Sequence, residues 1–163
     1  MAKIVLSRID SRLIHGQVIT KWLKRVDANR IIIIDDNLAN DKFMLDVYSM
    51  AAPPNVKVQI LSIDNFISGW DLEQYGQDKI LLLFKDVAHV YQLFNKGFVL
   101  KELQIGGLGS GPGRKSVYKN ISFDKKDIQQ LKELSIKKLK IYLQPVPEDT
   151  LKIFEDSIKK IKF

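Results

Sequence analysis

Two unbroken runs of large apolar residues constrain the fold of this chain more than any other feature. Residues 31–34 are four consecutive isoleucines, and residues 80–84 read Ile-Leu-Leu-Leu-Phe. A strand with one face in water alternates apolar and polar residues, whereas a strand covered by helices on both faces does not. These runs therefore predict central strands of a parallel sheet that has helices on both sides.

Other apolar segments of strand length recur along the chain, separated by segments with helical periodicity. The predicted strands are residues 3–7, 30–34, 57–61, 79–84, 102–105 and 139–143, with a short one at 120–123. The helical patterns, whose apolar members we expect in the core, are Val18, Trp22 and Val26; Phe43, Val47 and Met50; Ile128, Leu131 and Leu134 after an Asp124 N-cap; and Phe154, Ile158 and Ile161. Strands that alternate with helices predict a doubly wound α/β sheet, and the absence of any linker predicts one domain, 1–163.

Composition excludes several classes of protein. The chain has 163 residues, of which 45% are hydrophobic, and this content excludes a disordered protein. It has no cysteine, so disulfides, thiolate catalysis and cysteine-bound metals are excluded. No apolar run reaches the ~20 residues of a membrane-spanning helix, and the N-terminus shows no signal-peptide pattern. We therefore expect a cytoplasmic protein.

The net charge of +7 is concentrated in the C-terminal portion. Residues 1–100 contain 12 basic and 11 acidic side chains, whereas residues 101–163 contain 14 and 8. This excess is consistent with an acidic partner protein, anionic lipid or nucleic acid, and equally with solvated lysines on helix surfaces. Few aromatic residues lie among these lysines and no recognition motif is present, so we do not expect nucleic-acid binding.

A glycine-rich segment, residues 106–116, contains five of the nine glycines. A phosphate-binding loop of the Walker type is disfavoured, because Arg114 interrupts the required Gly-Lys-Ser ending and a short strand follows instead of a helix. No GxGxxG spacing fits either. The segment is predicted to be a mobile loop beside the functional edge of the sheet.

The segment with the most chemical content is residues 8–18, between the first predicted strand and the first helix. Arg8, Asp10, Arg12 and His15 lie within it. In an α/β sheet this connection lies at the carboxyl end of a strand, where ligands usually bind. The first turn of the following helix offers free backbone N–H groups that suit an anion.

These residue types meet the requirements of a phosphoryl carrier. An imidazole with an ordinary pKa of ~6.5 is a good nucleophile near neutral pH, so His15 is the candidate nucleophile. Arg8 and Arg12 offer planar donor forks for the phosphoryl oxygens, and Asp10 can orient the loop or fix the tautomer of the imidazole. Gly16 permits close approach, and the backbone N–H groups of Gly16 and Gln17 are candidate phosphate donors.

A purely structural interpretation stays open for the same residues. His15 could be a helix N-cap or a core histidine, with Asp10 and Arg12 forming an ordinary ion pair. The other histidine, His89, has no comparable neighbours and is expected to lie on a helix surface. With only two distant histidines and no cysteine, we do not expect a metal site.

The sequence of residues 5–18, Val-Leu-Ser-Arg-Ile-Asp-Ser-Arg-Leu-Ile-His-Gly-Gln-Val, followed by Trp22, resembles the signature of the IIB component of the bacterial phosphotransferase system, mannose/fructose/sorbose class. The similarity continues to the end of the chain, through Asp35-Asp36 and the segments at 79–82, 105–107, 122–124 and 144–147. One departure is the glycine-rich stretch after Gly107, where this class more often has a polar segment with an aromatic residue or methionine.

The resemblance implies a specific function. His15 would accept a phosphoryl group on Nδ1 from a histidine of a IIA protein and pass it to a sugar held by the membrane components IIC and IID. Arg8, Asp10 and Arg12 would belong to the active-site loop. The resemblance also implies an open twisted sheet of about seven strands, and neither a metal nor a small-molecule cofactor.

Two other classes of function remain as alternatives. A module that binds a nucleotide or an acidic metabolite without covalent chemistry would keep its affinity in a His15→Ala variant. A nucleic-acid-binding protein would show steeply salt-dependent binding. The identity of the sugar and the oligomeric state cannot be inferred from this sequence.

Overall fold

The apolar runs form the centre of an open, seven-stranded sheet. The computed structural model describes residues 1–163. Its strands are β1 (Lys3–Asp10), β2 (Arg30–Ile34), β3 (Lys57–Leu61), β4 (Lys79–Phe84), β5 (Glu102–Gly107), β6 (Lys115–Tyr118), β7 (Ile121–Phe123), β8 (Lys140–Leu143) and β9 (Lys152–Ile153). Its helices are α1 (Val18–Val26), α2 (Lys42–Ala51), α3 (Ile63–Asp71), α4 (Val87–Asn95), α5 (Lys125–Ile136) and α6 (Phe154–Ser157).

The sheet has the strand order β3-β2-β4-β1-β5-β8-β9, and only β9 is antiparallel to its neighbour. This confirms the predicted α/β class and the mostly parallel sheet of about seven strands. The short strand predicted at 120–123 exists as β7, but it pairs with β6 in a separate two-stranded sheet. The seventh strand of the main sheet is instead β9, whose two residues are too few to give a sequence pattern.

Helices cover both faces of the sheet, as the unbroken apolar runs require. Ile31 and Ile33 pack with α1 in one core cluster, whereas Ile32 and Ile34 pack with α3, α4, α5 and α6 in a larger cluster on the opposite face. All four isoleucines are completely buried. Because successive side chains of a strand point to opposite faces, a strand buried on both sides needs an apolar residue at every position. Every helix falls short of the length and apolar content that a membrane span requires.

One predicted core face is wrong. Phe43, Val47 and Met50 lie on α2 at the expected spacing, yet all three are exposed. The same helix carries a second apolar face, and it is Met44, Leu45 and Tyr48 that pack against the smaller cluster. Periodicity cannot choose between two apolar faces of one helix, because both have the same spacing.

The C-terminal helix is also shorter than the pattern predicted. Helix α6 ends at Ser157, although Ile158 and Ile161 still pack, partly buried, against the larger core cluster. Phe154 is completely buried, as expected. The predicted core positions on α1 and α5 are buried at Trp22, Ile128, Leu131 and Leu134. Val18 and Val26 are only partly buried, and they pack against the smaller cluster.

Strand β1 is longer than predicted, and this matters for the site. It runs to Asp10, so Arg8 and Asp10 belong to the carboxyl end of the strand and not to the turn that follows it. In the parallel ladder Arg8 lies opposite Gln104 of β5, and Asp10 lies opposite Gly107. The turn itself therefore begins at Ser11, whose N–H donates to the Gly107 carbonyl at 2.9 Å.

The start of α5 shows how a local sequence signal defines an element. The Asp124 carboxylate accepts from the Asp127 N–H at 2.6 Å, and the Asp127 carboxylate accepts from the Asp124 N–H at 3.2 Å. This reciprocal capping box satisfies backbone donors that the first helical turn would otherwise leave free. It confirms the N-cap predicted at Asp124.

We predict that Asp124→Ala lowers the free energy of unfolding by about 1–2 kcal/mol, because the cap of α5 and a contact with Arg114 are both lost. Urea denaturation measures this loss. Lys126→Ala, an exposed change in the same helical turn, is the control and should alter stability by less than about 0.5 kcal/mol. Equal losses of unfolding free energy in the two variants would show that the cap does not stabilise the protein more than an exposed side chain of the same helical turn does.

Candidate active site

The carboxylate of Asp10 is the centre of the site. Its side chain is buried, and its two oxygens have different partners. Oδ1 accepts from the backbone N–H of Arg12 at 3.1 Å. Oδ2 lies 3.0 Å from Nη2 of Arg8 and 2.9 Å from Nε2 of His15. One carboxylate therefore joins the strand end, the loop backbone and the candidate nucleophile.

The bond to Asp10 fixes the tautomer of His15. A carboxylate can only accept, so Nε2 must carry the proton, and Nδ1 is left with its lone pair. The His15 side chain is 17% exposed, in contrast to 2% for Asp10. The helix α1 begins only at Val18 with Gln17 as its N-cap, so His15 is not a capping residue. The geometry leaves one ring nitrogen both nucleophilic and unblocked by the carboxylate.

Arg8 does not lie where the sequence led us to expect it. Its side chain is 1% exposed and its guanidinium points into the protein. Nη1 donates to Gln104 Oε1 at 2.6 Å and to the Gln144 carbonyl at 3.2 Å. Nη2 donates to Asp10 and, at 2.9 Å, to the Pro145 carbonyl. Both terminal nitrogens of Arg8 are thus committed inside the protein. Direct contact of Arg8 with phosphoryl oxygens stays a prediction.

Burial and pairing act in opposite directions on Arg8. Burial lowers the pKa of Arg8, and the neighbouring Asp10 carboxylate partly restores it. The ring of Trp22 lies beside the guanidinium, 5.6 Å from Cζ to the ring centroid. A buried guanidinium is stable only with such compensation, so Arg8 and Asp10 depend on each other.

A glycine makes room for this arrangement. A Cβ atom at position 106 would overlap the guanidinium of Arg8, and one at 107 would lie 3.1 Å from Asp10 Oδ1. Both glycines are in strand β5, beside the end of β1. The pair Gly106-Gly107 therefore serves the close approach of a side chain, not a phosphate-binding turn.

The turn after β8 closes the far side of the site. The Pro145 carbonyl accepts from Arg8 and also, at 3.0 Å, from Nε1 of Trp22. Strand β8 is separated from β1 by β5, so these contacts reach across two strand spacings. The segment at 144–147 is thus tied to the active loop through its backbone carbonyls, which no sequence pattern could have revealed.

The loop between β1 and α1 presents backbone donors around His15. Leu13 and Gly16 both have left-handed backbone angles, with φ of 56° and 49°. A buried leucine in this conformation is strained, and such strain is typical of functional loops. The N–H groups of residues 15–20 donate to no acceptor within the protein. Gly16 and Gln17 belong to this set, so they are available to an anion beside His15.

Arg12 differs from Arg8 in every respect that matters here. Its side chain is exposed and forms no ion pair or hydrogen bond within the protein. Only its backbone N–H is used, in the bond to Asp10. Arg12 is therefore the cation of the loop that remains available to a phosphoryl group.

The second histidine is buried, contrary to the expectation of a surface residue. His89 is 6% exposed on α4. Its Nδ1 lies 2.8 Å from Asp86 Oδ1, and its Nε2 accepts from the Asp36 N–H at 3.1 Å. The hydrogen bond with Asp86 raises the pKa of His89. His89 joins the loops that follow β2 and β4.

Asp35, Asp86 and His89 are close enough together to be considered as metal ligands. The tautomer argues against it. Because Nε2 of His89 accepts a backbone N–H, Nδ1 must carry the ring proton, and a protonated nitrogen cannot bind a metal. We therefore treat this cluster as a structural connection between loops.

The glycine-rich segment begins with the last two residues of β5, at the same edge of the sheet as His15. Arg114 fastens it by donating from Nε to the Gly109 carbonyl at 2.8 Å and from Nη2 to the Ser122 carbonyl at 2.7 Å. The segment ends in β6, a strand that the sequence analysis did not predict. Its mobility stays a prediction.

We predict that Gly106→Ala lowers the free energy of unfolding by about 1–3 kcal/mol, because the added methyl group displaces the buried guanidinium. Chemical denaturation measures the loss. Gly109→Ala is a matched control in the same segment, since nothing lies within 4 Å of a Cβ at that position. If both alanines were tolerated equally, the tight packing around Arg8 would be disproved.

The fold and the site together define an α/β protein with a carboxylate-held histidine and free backbone donors at the carboxyl edge of a parallel sheet. Residues 4–163 match the family described as PTS system sorbose subfamily IIB component. The chain therefore belongs to the sorbose subfamily of IIB components of the phosphotransferase system (PTS). This confirms the family that the motif at residues 5–18 indicated.

Individual relatives agree with this assignment. The sorbose-specific EIIB component of Klebsiella pneumoniae is 36% identical over 161 residues, covering 99% of this chain and 98% of that protein. The mannose-specific EIIAB component of Escherichia coli K12 is 32% identical, covering 97% of this chain but 49% of that protein. The crystal structure of the IIBSor domain of the sorbose permease from K. pneumoniae superimposes with a TM-score of 0.92 at 36% identity, over 99% of both chains.

A second solved structure, manxB from Thermoanaerobacter tengcongensis, also has a TM-score of 0.92, at 38% identity, covering 98% of this chain and 97% of that one. Both sequence and fold thus place the chain among the sugar-specific IIB components. These components perform phosphoryl transfer between a IIA protein and a sugar, and the chain is a phosphotransferase component of this kind.

Proposed function

We propose that the phosphoryl group is carried on Nδ1 of His15. The observation that carries this proposal is the 2.9 Å contact between His15 Nε2 and the buried Asp10 carboxylate. Because that contact holds the ring proton on Nε2, Nδ1 keeps the lone pair that attacks phosphorus. The established family activity requires a phosphoryl acceptor, and the only other histidine, His89, is buried with both nitrogens occupied.

The proposed transfer proceeds between two imidazoles. The lone pair of His15 Nδ1 forms a bond to the phosphorus of a phosphohistidine on the IIA protein. The donor's nitrogen–phosphorus bond breaks, and its electron pair returns to the donor imidazole. The ring of His15, still protonated on Nε2, then bears positive charge that the Asp10 carboxylate stabilises at 2.9 Å.

Three further groups hold the transferring phosphoryl in this proposal. The exposed Arg12 guanidinium offers charge and a planar fork, and the N–H groups of Gly16 and Gln17 offer neutral donors. Arg8 acts indirectly, by holding Asp10 in place from inside the protein. The parts are therefore a nucleophile, its orienting carboxylate, a buried support and an outer phosphate cradle.

In the second half of the cycle, a sugar hydroxyl oxygen forms a bond to the phosphorus and loses its proton to solvent. The bond between phosphorus and Nδ1 breaks, and its electron pair returns to the His15 ring, which is again neutral with its proton on Nε2. We propose that this occurs on a sugar held by IIC and IID membrane components, which makes the chain a protein-Nπ-phosphohistidine–sugar phosphotransferase. The chain would then work in the cytoplasm and visit the inner face of the membrane through these partners. The mannose-specific relative named EIIAB supports a IIA partner. Relatives are named for sorbose, fructose and mannose, and we propose a sugar of this range as the acceptor.

We predict that His15→Ala abolishes phosphorylation, because the only accessible nucleophilic imidazole is lost. The wild-type chain, incubated with phosphoenolpyruvate, the general PTS proteins and a IIA protein, should gain one acid-labile phosphoryl group by intact-mass measurement. Phosphorus NMR should assign it to Nδ1. His89→Gln is the matched control and should still be phosphorylated. Absence of any phosphoryl group on the wild-type chain with an active IIA protein would refute the proposal.

We predict that Arg12→Gln slows phosphoryl acceptance by about ten- to a hundredfold without changing stability, since an exposed cation that contacts the transferring group is removed. Rapid-quench measurements of transfer from phosphorylated IIA give the rate. Arg25→Gln, which removes an exposed arginine from the last turn of α1, should leave that rate within about twofold. Similar losses in both variants would indicate a general effect of surface charge.

A further inference from the structure

The side chain of Gln104 has no role in the scheme above, yet it makes the shortest contact of Arg8. It is completely buried on β5, directly opposite Arg8 in the parallel ladder. Its Oε1 accepts from Arg8 Nη1 at 2.6 Å. Two donors beside this contact are buried without any hydrogen-bond partner: Nε2 of Gln104 and Nε of Arg8.

A glutamate is the obvious alternative acceptor at this position. Its carboxylate would accept from Arg8 Nη1 in place of the amide oxygen, and it has no N–H group to leave unsatisfied. Each buried donor without a partner costs about 1–3 kcal/mol. The number of satisfied hydrogen bonds alone therefore does not explain why an uncharged amide faces Arg8.

The charge balance of the pocket does explain it. Asp10 is the only carboxylate bonded to Arg8, since its other acceptors are the Gln104 amide and two backbone carbonyls. Burial raises the pKa of Tyr142, which lies near Arg8 on β8, so its hydroxyl is uncharged. Arg12 is exposed on the loop. With neutral His15, the buried charges of Arg8 and Asp10 cancel.

A second carboxylate would disturb this balance. It would share the charge of Arg8 with Asp10 and leave the pocket with one net negative charge. That charge would favour the imidazolium form of His15, in which Nδ1 carries a proton and cannot attack phosphorus. It would also repel the incoming phosphoryl group.

We infer that Gln104 is a positioning residue for His15: by giving Arg8 an uncharged acceptor, it commits the guanidinium charge to Asp10 and keeps His15 neutral and nucleophilic near neutral pH. This inference rests on the proposed role of His15 as phosphoryl carrier. It assigns a role in phosphotransfer to a side chain that touches neither phosphate nor His15.

The decisive variant is Gln104→Glu. The midpoint of the pH profile for phosphoryl acceptance should move to higher pH by about one unit, which is the size expected of one charge acting over several ångströms in a protein. At pH values below the midpoint, the Gln104→Glu variant should accept a phosphoryl group about tenfold more slowly than the wild-type chain. The free energy of unfolding should be unchanged or higher. A variant that fails to fold, or that keeps the wild-type pH profile, would overturn the inference.

The chain contains a matched control for the added charge. Gln59 Oε1 accepts from Arg30 Nη1 at 2.6 Å, and Arg30 is paired with Asp78 at 2.7 Å. In this second Gln–Arg–Asp set, Arg30 begins β2, Asp78 precedes β4 and Gln59 lies on β3. The ion pair is therefore at the amino ends of the strands, whereas His15 follows the carboxyl end of β1. Gln59→Glu should therefore leave the pH profile unchanged. If it shifted the profile as much as Gln104→Glu does, net charge and not position would be responsible.

Gln104→Met separates the effect of an added negative charge from the effect of losing the hydrogen bond between Gln104 and Arg8. It removes the acceptor without adding a carboxylate, so the rate should fall while the midpoint stays within about 0.3 pH unit of the wild-type value. A shift to higher pH in the methionine variant would contradict the inference.

An NMR titration of the His15 ring makes the two proposals distinguishable. If the wild-type chain accepts no phosphoryl group, the proposed function fails, but the His15 resonances should still titrate at higher pH in Gln104→Glu than in wild type. If phosphorylation is normal and this titration does not move, only the role of Gln104 fails.

Discussion

The buried ion pair between Arg8 and Asp10 is the interaction on which the rest of the site depends. The buried Asp10 carboxylate holds the proton of His15 on Nε2. Arg8 compensates the negative charge of that carboxylate from the protein interior. The pair also determines its surroundings. Gly106 must lack a side chain, because the guanidinium occupies that space, and the Pro145 carbonyl must face inward to accept from it. Two buried ions without such partners would be strongly destabilising.

The position of this pair follows from the topology. Strand β1 lies between β4 and β5. The connection that leaves β1 runs through α1 towards β2 over one face of the sheet, whereas the connection that leaves β4 runs through α4 towards β5 over the other face. Loops diverge at such a point and leave a crevice at the carboxyl ends of the strands, where an α/β protein binds its ligand. The apolar core supports the site without taking part in it, because every buried position of β2 and β4 is filled by a large apolar residue. A rigid sheet edge keeps the atoms around His15 within hydrogen-bond distance.

Much of the fold could be predicted from local pattern. The isoleucine run, the strand–helix alternation and the Asp124 cap each depend on neighbouring residues, and each is confirmed. The failures share a different origin. The exposed face of α2, the burial of His89 and the two-residue strand β9 depend on what packs against them, which periodicity does not contain. The same holds for Arg8, because a short motif indicates an arginine near a phosphate site but not the direction of its side chain.

The sequence by itself determined the parallel α/β class and the family, because these follow from periodicity and from a contiguous motif at residues 5–18. From the same motif it gave His15 as the candidate phosphoryl carrier. Only the tertiary structure decided that Arg8 contacts Asp10 from within the protein, while the Arg12 side chain is exposed on the loop. It also brought Gln104 and Pro145, 96 and 137 residues from Arg8 along the chain, into contact with the guanidinium. The physical reason is that burial and hydrogen-bond partners are set by the pairing of distant strands. Arg8, inside the end of β1, is enclosed by its neighbours, whereas Arg12, in the loop after that strand, is left exposed.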